Sequence, residues 1–224
     1  MIRKPVVVGQ FYSQSEADLN KQIGSFVVPG LNKEKVLAIV VPHAGYMYSG
    51  AIAGAVYSRI EIPKTLIILG PNHTGRGAMA AIMTNGEWQL PAGNVKINSE
   101  LGKAILAGSS LLEDDADAHL FEHSIEVQIP FIQYFRRDVS IVPIAIMSND
   151  YKSCQDIGEA ISDAIKVCQH PITIIASTDM THYESRDAAL KKDYIAIEKI
   201  LNLDPQGLYN AVRENRISMC GYIA

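Results

Sequence analysis

Apolar residues in this 224-residue chain fall into short unbroken blocks separated by longer amphipathic stretches. Val36–Val41, Leu66–Leu69, Val139–Met147 and Ile172–Ala176 are runs of β-branched and aliphatic residues bounded by Pro, Gly, Asn or Asp. That pattern predicts buried strands. Ser15–Val27, with Glu16 and Asp18 early, predicts a first helix. The small-residue stretch Ser49–Arg59 predicts a helix packed closely on a sheet, and Asn98–Leu106 one capped by Asn98 or Ser99. Asp150–Cys168 and Asp187–Leu201 carry helical periodicity, and Asp204-Pro205 places a capping residue before a first-turn proline, opening a helix to about Asn215. Across His123–Phe135 the apolar spacing is helical, with Pro130 expected to kink or limit it. Ala78–Leu90, around Asn85-Gly86, predicts a hairpin. Strands alternating with helices, plus one hairpin, give the α/β class: a mixed central sheet with helices on both faces.

Composition adds exclusions. A net charge of −4 and isolated basic pairs (Arg3-Lys4, Arg136-Arg137, Lys191-Lys192), each taken as solvated surface, argue against a nucleic-acid partner. No apolar run reaches the roughly 18 residues of a membrane span. Val6–Val8 is too short for a signal-peptide core. Three cysteines without a CxxC spacing give no disulfide framework, which fits a reducing, cytoplasmic setting. No linker divides the chain, so residues 1–224 form one domain. The uncharged, apolar stretch Ile217–Ala224 resembles the lead into a further buried element, so C-terminal elements of the native domain are expected beyond it.

Three of the apolar runs end on a histidine: His43, His73 and His182, the last with Asp179 three residues before it. Ligands in open α/β sheets bind beyond the carboxyl ends of strands, so the three histidines predict one assembled site. Neutral imidazole is a common ligand for zinc, iron, copper and nickel. With His43 and His73, a Cys220 thiolate and an open position would make a catalytic metal site. Asp179 and His182 can orient one another or serve as acid and base. Any one of these histidines alone is more often a hydrogen-bonded core residue than a ligand, and Cys220 alone more often a small buried hydrophobe. Glu122 and His123 are further candidates for the cavity wall, against helix capping and surface pairing with Glu126. His119 and His170 are assigned to surface or loop, and Cys154 and Cys168 to helix packing. GPNHTGRG lacks the GK[ST] ending of a phosphate loop, and no GxSxG elbow is present.

The segments VPHAGYMYSG (41–50), LGPNHTG (69–75), EHSIEVQIPF (122–131), STDMTHY (177–183) and MCGY (219–222), with RKPVVVGQFY (3–12), resemble the Memo family, also called AmmeMemoRadiSam system protein B. The resemblance implies a fold similar to class III extradiol (LigB-type) dioxygenases, which carry non-haem Fe(II) on two histidines and a glutamate. It places the metal ligands at His43 and His73 and a catalytic histidine at His182. Cys220 stands where those dioxygenases have their carboxylate. A softer thiolate shifts preference towards copper or zinc and does not carry extradiol cleavage over. The implied function is a metal-dependent redox enzyme, with a non-catalytic metal- or peptide-binding module as the alternative and a Cys220–His182 thiol hydrolase as a third reading. Implied partners are a small molecule or a peptide, with radical-SAM and AMMECR1-type proteins in microbes.

Overall fold

The computed structural model describes all residues, Met1–Ala224. In chain order the strands are β1 (Ile2–Arg3), β2 (Ala38–Val41), β3 (Thr65–Pro71), β4 (Ala80–Ile82), β5 (Glu87–Leu90), β6 (Gly93–Ile97), β7 (Glu113–Asp114), β8 (Ser140–Ile146) and β9 (Ile172–Ser177). The helices are α1 (Glu16–Gly24), α2 (Tyr46–Tyr57), α3 (Ser99–Gly108), α4 (Ile129–Phe135), α5 (Tyr151–Lys166), α6 (Arg186–Leu201) and α7 (Pro205–Glu214). One nine-stranded sheet runs β1-β5-β6-β8-β3-β9-β2, with β4 paired to β8 and β7 to β4 off that path. The β6-β8-β3-β9-β2 stretch is parallel, whereas β5-β6 and β4-β8 are antiparallel, so the sheet is mixed as expected. The far edge of β8 is shared: Ser140 and Ile141 pair with β6, Ile144–Ile146 with β4.

The central strand β3 is buried on both faces, which is why it reads as a solid apolar run. Leu66 and Ile68 join one core cluster with α1, α2 and α4, while Ile67 and Leu69 join another with α3 and α5. Period-two alternation thus builds the two helix-covered faces. A small third cluster of Ala196, Val212, Ile217 and Met219 ties α6 and α7 to the segment that leads into Cys220.

Helix starts follow the capping signals. Ser15, Asn98, Asp150, Ser185 and Asp204 each accept a backbone N–H of the first turn. Pro130 limits the helical run as expected, standing in the first turn of α4, where its missing N–H costs nothing. One local expectation fails. Asn85-Gly86 does not join paired strands: the hairpin is β5-β6, turning at Pro91-Ala92. Gly86, at φ +108°, lies where a Cβ would be 2.5 Å from the Met1 carbonyl oxygen, and so admits β1 beside β5.

The basic-pair reading fails at Arg3, and the surface readings fail at Glu126 and His119; all three are fully buried. Arg3 ion-pairs with Glu126, donates from Nε to the His119 carbonyl (3.0 Å) and lies 4.3 Å over the Trp88 ring. Glu126 also accepts the Val6 N–H (2.9 Å) and the Tyr12 hydroxyl (2.6 Å). Arg3 and Glu126 are 123 residues apart, so no local pattern announces the pair. The His119 ring packs edge-on to Trp88, and neither ring nitrogen makes a well-formed hydrogen bond, although the Ala81 backbone lies close. Burial, reinforced by the Arg3 charge, pushes its imidazolium down to about 4.

That depression fixes a pH dependence. Below about pH 6.5 the unfolded chain protonates this imidazole, whereas the folded protein refuses the proton until near pH 4. Stability is therefore lost as pH falls through that window, by up to about 3 kcal/mol, and gains nothing further above it. Denaturant unfolding of wild type and His119→Leu between pH 7 and 4 should show a flatter profile for the variant. Parallel profiles would remove His119 as the cause.

Candidate metal centre

The parallel strands β2, β3 and β9 end side by side, and each delivers its histidine or aspartate within a few residues of its last strand position. Pro42-His43 follows β2, Asn72-His73 follows β3, and Thr178-Asp179 follows β9. The loop Glu122–Ser124 crosses these ends and is pinned there: Ser124 Oγ donates to the Pro71 carbonyl (2.8 Å), and the Ser177 hydroxyl donates to the Ser124 carbonyl (2.6 Å). From the other side comes Cys220. A Cβ on the following Gly221 would sit 2.5 Å from the Ser177 carbonyl oxygen and 2.6 Å from the Thr178 Cβ. Only glycine lets that segment lie so close to the end of β9, and the contact brings Cys220 in.

His43, His73 and His123 form a triad. Ring centroids are 5.3 Å apart for His43–His73, 5.6 Å for His43–His123 and 4.9 Å for His73–His123. One nitrogen from each ring lies within 4.8 Å of the other two, close enough for one ion. Cys220 Sγ is 3.2 Å from His43 Nε2, and the thiol also hydrogen-bonds His73.

Hydrogen-bond arithmetic sets the tautomers. Because the Ser177 proton goes to Ser124, the 3.0 Å contact between His43 Nδ1 and Ser177 Oγ must be donated by the imidazole. Gln128 completes that shell, donating to Ser177 Oγ (2.8 Å) and to the Pro42 carbonyl (2.9 Å). His73 Nδ1 lies 3.0 Å from Glu122 Oε1, and His123 Nδ1 lies 3.4 Å from the same oxygen. Glu122 is buried and takes further N–H bonds from His73, His123 and Ser124. Each Nδ1 therefore faces an internal acceptor, leaving Nε2 as the ligand atom, the usual way proteins orient metal-binding imidazoles.

The electrostatics agree with a cation-seeking pocket. Burial raises the Glu122 carboxyl, but its bonds from His73 and Ser124 outweigh this and hold it down near 2. Hydrogen bonds that its imidazolium donates to Cys220 and then to Glu122, against burial, raise His73 to about 10. For the Cys220 thiol, burial works upward while His43 and His73 work downward more strongly, to about 6. Burial lowers His123. A thiolate held among protonated or proton-sharing imidazoles is a pocket in which a metal ion can replace the protons, since binding requires deprotonated ligands.

Asp179 caps the neighbouring turn. Its Oδ1 accepts the backbone N–H of His43 (2.7 Å) and of Ala44 (3.2 Å). Its Oδ2 stands 4.0 Å from His43 Nε2 and 3.8 Å from His182 Nε2. The His182 ring donates from Nδ1 to the Ser218 carbonyl at 2.7 Å. Cys220 meets His43 and His73, whereas His182 faces Asp179, so the pairing a Cys220–His182 hydrolase needs is not formed.

The family described as Memo-like protein matches residues 3–224. The chain belongs to the Memo family. It is 43% identical to a MEMO1 family protein of Sulfurisphaera tokodaii, with 99% of this chain and 84% of that protein aligned. It is 39% identical to one of Methanothermobacter thermautotrophicus with the same coverage, and 40% identical to one of Thermotoga neapolitana over 99% and 85%. For this Memo protein the structure brings His43, His73, Cys220, Glu122 and His123 into one pocket, with Asp179 and His182 at its margin. His123, read from sequence as only a cavity-wall candidate, presents a ring nitrogen as centrally as the other two. The positioning residues Ser177, Gln128 and Ser218 carried no sequence signal, because a serine or glutamine gains such a role only from what folding sets beside it. No helix is long and apolar enough to cross a membrane.

Proposed function

We propose that the pocket of His43, His73, His123 and Cys220 holds one metal ion, Fe(II) first with copper or zinc as alternatives, and that the protein is a dioxygenase-like, metal-dependent oxidoreductase acting on a small-molecule or peptide ligand. The observation that supports this most is the convergence of three imidazoles, each with a ring nitrogen within 4.8 Å of the other two, while the Nδ1 atoms of His43 and His73 are already hydrogen-bonded inside the protein. The donor set of imidazole nitrogen and thiolate suits a borderline or soft divalent ion and not a hard one. Iron or copper would supply electron transfer, and any of the three ions Lewis-acid polarisation of a bound ligand. Around it, Glu122 orients two imidazoles and Ser177 the third. His182, with Nδ1–H spent on Ser218, takes up or gives a proton at Nε2, and Asp179 Oδ2 stabilises the imidazolium so formed. A cavity of about 180 Å³ beside His73 and Cys220 gives access for a small ligand.

Protein prepared without an affinity tag is expected to carry about one transition-metal ion per chain by elemental analysis. Oxygen uptake should stop on chelation but survive a thiol alkylator added with metal bound. His182→Ala is expected to retain the metal and lose turnover by about 10²–10⁴-fold. Metal lost together with activity would make His182 a ligand instead. Stable metal binding without oxygen uptake would favour the binding-module reading, in which the same pocket holds its ion without turnover.

A further inference from the structure

At the opposite end of the sheet, where the parallel strands begin, lies a cavity of about 680 Å³. Its floor is made by the first residues of β3 and β8, Thr65 and Ser140, together with Asn98 at the cap of α3. These three polar groups satisfy one another poorly. Thr65 Oγ1 and Ser140 Oγ are 3.5 Å apart, and Asn98 Nδ2 lies 3.4 Å and 3.5 Å from them. Ser140 Oγ also donates to the Lys64 carbonyl at 3.4 Å; contacts this long are weak hydrogen bonds, which a stronger acceptor can displace.

The walls are cationic. Lys35, Lys64, Lys96 and Arg136 line the cavity against two carboxylates, Glu61 and Asp138. Asp138 is already committed to Arg136 (2.8 Å and 3.1 Å) and lies 3.9 Å from Lys64. Lys35 and Lys96 have no carboxylate within ion-pair distance. In a chain of net charge −4 this is a local excess of two positive charges. Val36, Ile62 and Val139 form an apolar strip between the cations.

We propose that this cavity binds the phosphate monoester of a small, partly apolar molecule. The cations and the floor hydroxyls would take the dianion, and the apolar strip the body of the ester. The volume falls within the roughly 300–1,000 Å³ of small-molecule sites, and oriented cations with neutral donors are the usual recognition of phosphoryl oxygens. The site is independent of the metal pocket, from which the length of the strands separates it.

Isothermal titration of the metal-bound protein with phenyl phosphate and with inorganic phosphate, at low ionic strength, tests the assignment. Phenyl phosphate should bind saturably, more tightly than inorganic phosphate, and more weakly as salt is added. The double variant Lys35→Glu/Lys96→Glu should weaken it by about 10–100-fold, with thermal unfolding and metal content unchanged because both lysines are exposed. His43→Ala should leave phenyl phosphate binding intact. Absence of saturable binding, equal affinity for the two probes, an unchanged affinity in the charge-reversed protein, or loss of binding in His43→Ala would each overturn the proposal.

Discussion

Replacing His43 with alanine is expected to lower metal affinity by more than about 100-fold, beyond the roughly 10–100-fold typical of changes to an orienting partner. The imidazole is buried, its Nδ1 is fixed by Ser177, and its Nε2 lies 3.2 Å from Cys220 Sγ, so its loss removes a preoriented donor from the centre of the site. Glu122→Gln tests the orienting layer. It keeps the shape of the side chain but removes the charge that holds the Nδ1 protons of His73 and His123, and it should fall within that 10–100-fold range. Both values can be read by competition with a chromophoric chelator. The ordering is the diagnostic: if Glu122→Gln loses metal and His43→Ala does not, the ion is centred on the His73–His123 side and the triad reading is wrong.

Arg3→Ala is expected to cost about 3–5 kcal/mol, the penalty for leaving a buried charge without its partner. Glu126 would keep two backbone N–H groups and the Tyr12 hydroxyl, but a carboxylate with no exposure needs its counter-charge. At about 2–4 °C per kcal/mol for a chain of this size, the midpoint of thermal unfolding should fall by about 6–20 °C. The double variant Arg3→Met/Glu126→Gln should recover much of the loss, because it removes both charges instead of stranding one. A drop of only a degree or two in the single variant would show that the pair is hydrated. Arg3 also donates to the Glu122 and His119 carbonyls, so the same variant should loosen the loop that carries Glu122 and His123 and weaken metal binding in parallel.

Much of this architecture was legible in the chain. The strand cores of β3, β8 and β9 stood out because a strand buried on both faces leaves no polar position to break the run, and β2 stood out as an aliphatic run although it lies at the sheet edge and is largely exposed. Helix starts at Ser15, Asn98, Asp150 and Asp204 were legible because a cap is a local bond between residues three apart. The histidines after three strands, with Asp179 beside one of them, pointed to one end of the sheet by the rule that parallel strands present their carboxyl ends together. What tertiary structure decided was every role that depends on a distant partner. Gly86 was read as a hairpin turn but instead makes room for β1, and the nearby hairpin turns at Pro91-Ala92. Arg3 carried the pattern of a surface charge yet is buried because Glu126 waits for it. His119 is sealed beneath Trp88 without a well-formed bond. His123 joins His43 and His73 because Ser124 and Ser177 fasten its loop across the strand ends. Sequence patterning reports periodicity and short-range bonds, which act over one turn or one pleat. Charge pairing and ligand convergence are set by contacts between residues tens to more than a hundred positions apart, and these exist only once the sheet has assembled.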